Sequence, residues 1–134
     1  MSRTPPKAFF DFIRARVGEA NSQKFSAFDP KKDYVGPEGG SWKPPQSIYG
    51  VNARAGAWVH DNLFEIGGGE VQFDEANQIF LECLLWLIEN HRYPWYIPNQ
   101  TTKVLANYRA TTYYNAVCIA GEAHFKWKNG RRGH

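Results

Sequence analysis

His60 and Asp61 sit side by side in Ala57-Trp58-Val59-His60-Asp61-Asn62-Leu63-Phe64, which pairs a proton-transfer group with a ligand for a hard cation. Adjacent residues on a helix point about 100° apart, so the two cannot address one atom from the same direction. They can serve linked tasks, with the imidazole as general base on a water and the carboxylate holding a cation beside it. The plainer use of the same residues is a hydrogen-bonded core histidine next to a surface aspartate. Upstream lies Tyr34-Val35-Gly36-Pro37-Glu38-Gly39-Gly40. Its glycines would let several carbonyl oxygens converge, as calcium prefers, although a Pro/Gly loop without a ligand has the same composition.

These residues need helices to position them. Thr4 and Pro5 read as the start of a first helix through Phe9, Phe12, Ile13 and Val17, with Gly18 as its stop. Residues 21–50 mix four prolines with four glycines, which predicts a long loop without regular structure. A second helix is expected from Val51 to Phe64 or Ile66, ended by Gly67-Gly68-Gly69. Asp74 is placed as the cap of a third helix, whose stretch Cys83 to Ile88 is apolar nearly all round and is expected to be buried. A fourth helix is read from Thr101 through Val104, Leu105, Tyr108, Thr112, Ala116 and Ile119 to a stop at Gly121, against the strand propensity of Thr111 to Tyr114. Residues 126–134 read as a mobile basic tail. The expected fold is one mainly α domain over 1–134, with three to four helices and a long Pro/Gly-rich loop.

Composition narrows the function classes. The 134 residues carry 43% hydrophobic and 16% aromatic side chains, enough large flat groups to build a core in a short chain. The net charge of +3 hides an acidic middle: from Ala55 to His91 there are seven carboxylates and no Lys or Arg. That argues against nucleic acid as the partner of this segment and suits a bound cation. No apolar run approaches the roughly 18 residues needed to span a bilayer, and no signal peptide is visible. Two cysteines exclude a disulfide framework and a four-thiolate zinc site. Cys83 falls among apolar helix residues and reads as core. His91 reads as a cation at a helix end, His124 as packing beside Phe125 and Trp127, and the connector Tyr93 to Tyr96 as core or as a contact surface for lipid or protein. A metal phosphohydrolase of the His…His-Asp…Asp kind needs a histidine before the pair, and His60 is the first in the chain.

The order Tyr-x-Gly-Pro-x-x-Gly, then His-Asp-x-x-aromatic, then a second helix resembles phospholipase A2 of the short, cysteine-poor type found in parvovirus capsid proteins. The resemblance covers roughly residues 34–85. It implies a phospholipase A2-like fold in which Tyr34, Gly36 and Gly39 of the loop, with Pro37 shaping it, and Asp61 hold Ca2+. His60 would activate water for hydrolysis of a phospholipid or other ester. Two positions depart from that family: Phe64 stands where it usually has Tyr, and Asn77 stands where it has the Asp that orients the histidine. An amide can hydrogen-bond an imidazole but cannot stabilise imidazolium by charge; Asp74, one turn earlier, is the alternative carboxylate. The segments Ala57 to Phe64, Glu75 to Phe80 and Ala116 to Gly121 are also similar to a small phage-associated family of unknown function. It carries Ala-x-x-His-Asp-x-Leu-Tyr, Ala-Asp-x-x-Phe and Ala-Val-x-x-x-Gly motifs.

The resemblances imply a protein of a phage or prophage, in the virion or the host cytoplasm. Its expected activity is calcium-assisted ester hydrolysis with His60 as base and Asp74 or Asn77 behind it. The alternative is a non-catalytic virion or accessory protein, partnered by phage structural proteins, that keeps the His-Asp helix as scaffold. An enzyme needs His60 open to a cleft; a scaffold buries it.

Overall fold

The structure, a computed structural model, describes residues 5–29, 47–48, 51–91, 93 and 96–128. It is mainly α, as expected. Helix α1 (Lys7–Val17) buries Phe9, Ile13 and Val17, a spacing of four that lines up one face. Gly18 ends it at φ 89°, and the chain turns at once into the short α2 (Glu19–Ser22). The cap of α1 is Pro6, not Thr4, which lies outside the described residues.

Most of the expected loop 21–50 also lies outside them. Two pieces of regular structure do occur at its ends. One is α2; the other is the antiparallel pairing of β1 (Ser47–Ile48) with β2 (Val51–Asn52). Val51 is therefore strand, and the helix expected from it begins later, as α3 (Arg54–Ile66). Gly67, at φ 73°, ends α3 in a conformation that glycine tolerates best. A Cβ there would also collide with the backbone carbonyl of Lys126.

Helix α4 (Glu70–Asn90) starts a turn earlier than the sequence suggested. Its entry is fixed by Gln72, whose Oε1 accepts a hydrogen bond from the Gly69 amide at 2.9 Å. Asp74 is thus inside the helix and is not its cap. Helix α5 (Asn99–Ala120) runs straight through Thr111 to Tyr114. The hydroxyls of Thr111 and Thr112 donate back to the carbonyls of Asn107 and Tyr108, which keeps them satisfied in a helix. Its buried face is Ala106, Ala110 and Tyr113, whereas Val104, Leu105, Tyr108 and Ile119, expected to form the apolar face, are exposed. The helix ends at Gly121, as expected, although at φ −76° and not in a left-handed turn, and a 3-10 turn (Gly121–Ala123) follows.

One core joins Phe9 and Ile13 of α1, Ala55 and Val59 of α3, Ile79, Cys83, Leu84 and Ile88 of α4, and Ala106, Ala110 and Tyr113 of α5. Close approach of α3 to α4 depends on Gly56, where a Cβ would sit 3.0 Å from Leu84 Cδ2. Within the stretch expected to be buried all round, Leu85 is exposed and the others pack inward or lie half-buried. Trp86 packs on Phe9 and Phe12, and Arg16 grips Glu82 through two bonds of 2.7 and 3.1 Å. That ion pair holds the Glu82 carboxyl below its usual range and the guanidinium above its own. One of the seven carboxylates of the acidic middle is therefore a structural partner of α1.

A second apolar cluster is formed by Phe64, Phe73, Ala76 and Phe125, with Trp127 packed on it. The backbone of 126–128 is tied down: Lys126 N–H donates to Phe64 O, Gly68 N–H to Lys126 O, and Lys128 N–H to Gly68 O. The reading of 126–134 as a mobile tail is corrected over 126–128; residues 129–134 lie outside the described part.

Candidate functional site

His60 and Asn77 meet between the two clusters. They occupy α3 and α4, 17 residues apart, and His60 Nε2 lies 2.8 Å from Asn77 Oδ1. An amide oxygen only accepts, so Nε2 carries the proton and donates it. His60 is 8% exposed and Asn77 1% exposed. The imidazole packs against Phe64, with ring centres 4.0 Å apart, and against Phe80 at 5.0 Å. Phe64 in turn meets Phe73 and Phe125, and Phe73 meets Trp127.

This surrounding decides the protonation state. Burial in aromatic walls penalises imidazolium and pushes the pKa of His60 down to about 4, with the Asn77 bond opposing weakly. Among the described residues no carboxylate shifts it. At neutral pH His60 is an uncharged donor, and its low basicity makes it a poor acceptor of a proton from water. The Nδ2 group of Asn77 is buried with no hydrogen-bond partner among the described residues. An unpaired buried amide group costs about 1–3 kcal/mol, so the pair is a local expense within an otherwise apolar contact.

Of the other expected site residues, the two that are described, Asp61 and Asp74, do not join it. Asp61, next in the chain, is exposed on the outer side of α3. Asp74 is exposed on α4 and faces α5: its charge is the last of the causes that raise the Tyr114 phenol, after a hydrogen bond to Cys118, the charge on Cys118 and burial. Tyr34, Gly36, Pro37 and Gly39 lie outside the described residues. Among the described residues no three His, Cys, Asp or Glu side chains gather as a metal would require.

Two further expectations resolve here. Cys83 is fully buried and free, and burial drives its thiol far above the range in which thiolate forms. His91 caps α4 and rests edge-on against Tyr93; burial and Lys103 lower its pKa, which works against the dipole-bound cation expected there. Phe73 and Phe125, which complete the aromatic surround, were not legible as partners of His60. Phe73 was excluded by the late start assigned to α4, and Phe125 reaches the site from 61 residues downstream of Phe64.

No family model, curated protein or solved structure matches this chain.

Removing one member of the pair should cost more than removing both. His60→Phe leaves the Oδ1 of Asn77 stranded beside its unpaired Nδ2, and about 1–3 kcal/mol of stability should be lost; Asn77→Leu strands the Nε2 proton of His60 but also removes the unpaired Nδ2, so its loss should be smaller. The double variant His60→Phe/Asn77→Leu leaves no polar group behind and should return to within about 1 kcal/mol of the parent. Urea unfolding of the four proteins checks this; additive losses would mean that the two side chains are not coupled.

Proposed function

We propose that this chain is a non-catalytic binding or accessory protein in which His60 and Asn77 fasten α3 to α4. The observation that carries this reading is the buried Nε2 to Oδ1 bond of 2.8 Å, made to an amide where a catalytic histidine would need a carboxylate. A general base must reach the proton that it removes, and it must bind that proton well enough to keep it through the step. A pKa of about 4 in an aromatic surround supports neither. The phage or prophage setting, and partnership with phage structural proteins, rest on the sequence resemblance of the Ala57 to Phe64, Glu75 to Phe80 and Ala116 to Gly121 segments.

The competing reading, a phospholipase A2-like hydrolase with Ca2+ held by Asp61, Tyr34, Gly36 and Gly39, requires His60 to become accessible. Phospholipid vesicles of mixed headgroups and soluble esters, assayed in millimolar calcium and in chelator, separate the two. The expected result is no hydrolysis above the buffer rate and the same melting temperature in both solutions. Asn77→Asp should not create activity, because it puts an ionisable carboxyl where the native residue is buried, and it should lower stability instead. Calcium-dependent hydrolysis that disappears in His60→Gln would overturn the proposal.

A further inference from the structure

A cavity of about 270 Å3 opens at the far end of α3, lined by Lys24, Asn62, Glu65, Ile66, Lys126 and Lys128. Three ammonium groups against one carboxylate leave it with a formal charge of +2. Among the described residues none of the three lysines is in an ion pair or a side-chain hydrogen bond.

The lysines are held there by backbone that is fixed on both sides. Alternation along the extended segment 126–128 sends Lys126 and Lys128 to one side, while Trp127 turns into the aromatic cluster against Phe73 and Phe125. The bridge between Gly68 and Trp127, with its bonds of 3.0 Å on either side, sets that register. Lys24 arrives on a different segment, where Asn62 Oδ1 accepts the Ser26 amide at 3.0 Å and the Trp58 indole donates to Ser26 O at 3.0 Å. Asn62 is itself oriented by its bond to Trp58 O. Two unrelated stretches of chain are thus pinned to α3 so that their cations face one volume.

A simpler role exists for one of them. The last turn of α3 has no basic residue of its own, and a cation near that end offsets the helix dipole. One lysine meets that need; it does not explain three from two separate stretches of chain. The volume is also just below the about 300–1,000 Å3 typical of sites for drug-sized ligands, which favours a compact occupant.

We propose that this cavity binds a multiply charged phosphate anion through Lys24, Lys126 and Lys128. Ammonium groups bind phosphate as point charges and need no fork geometry. Titration calorimetry at constant ionic strength, with inorganic pyrophosphate as the probe, tests it. The parent protein should bind, and Lys24→Gln, Lys126→Gln and Lys128→Gln should each weaken binding about tenfold. Lys7→Gln makes the same change in net charge away from the cavity and should have no effect. All four are exposed positions, and unchanged melting temperatures would verify folding. Absence of binding at millimolar pyrophosphate, or an equal loss in Lys7→Gln, would overturn the proposal.

A single-stranded oligonucleotide in competition identifies the source of the phosphate. Displacement of pyrophosphate with the same lysine dependence assigns the site to a nucleic-acid backbone. Pyrophosphate binding without such competition assigns it to a free anion.

Discussion

Leu84→Ala should lower the unfolding free energy by about 2–5 kcal/mol, the range for deleting a fully buried leucine side chain. Leu84 is 0% exposed and occupies the hollow that Gly56 leaves on α3. Glycine has no side chain to swing into the vacancy, and the neighbouring Cys83 and Ile88 are themselves buried against other helices. The site therefore cannot collapse easily, which places the loss toward the upper part of that range. Leu105→Ala on the exposed side of α5 is the matched control and should stay within about 0.5 kcal/mol of the parent. Urea unfolding measures both. A loss below about 0.5 kcal/mol for Leu84→Ala would mean that α3 and α4 do not meet as described.

Acid should unfold the protein by a route that runs through His60. The unfolded histidine titrates at its ordinary 6.5, the folded one at about 4. Between those values the unfolded chain binds more protons, so stability rises with pH across the window and falls as the solution is acidified. The gap is worth about 3 kcal/mol, fully lost once the pH is below 4. His91 contributes with the same sign, because burial and Lys103 also lower its pKa. Glu82 acts lower: Arg16 holds its carboxyl down, so its contribution is present above the ordinary carboxylate range and fades as pH falls through its folded pKa. Subtracting the double variant His60→Phe/Asn77→Leu removes both of these shared contributions. What remains should be a slope confined to pH 4–6.5. A flat difference across that window would place the imidazole in water.

How much of this was legible in the chain depends on whether the cause was local. Gly18 and Gly67 were readable as stops because each sits at positive φ, a demand that only one residue type meets without strain. Cys83, Leu84 and Ile88 were readable as buried because apolar residues wrap that part of α4 on every side. That an amide can hydrogen-bond an imidazole was readable from residue chemistry alone, and His60 and Asn77 meet in that way.

Helix α5 misled for a physical reason. Its large apolar residues, Val104, Tyr108 and Ile119, mark the outer face. The inner face is made of Ala106 and Ala110, small enough to let α4 come close, with Tyr113 beside them. Size draws attention to the wrong side when contact is governed by approach distance. The start of α4 was missed because Gln72 supplies the cap that Asp74 was assigned. Nothing local announces that Trp127 will pack on Phe73 and place lysines beside α3, since that contact joins residues more than fifty positions apart.

The proton on His60 tests the central claim most directly. Following the imidazole ring resonances of all four histidines by NMR from pH 3.5 to 8 assigns a midpoint to each, with His60→Phe identifying its signal. The structural pair predicts a His60 ring that stays neutral through pH 5.5 and titrates near 4. A midpoint at or above the ordinary 6.5 would mean that His60 faces solvent or a carboxylate, and would contradict a buried fastening between α3 and α4.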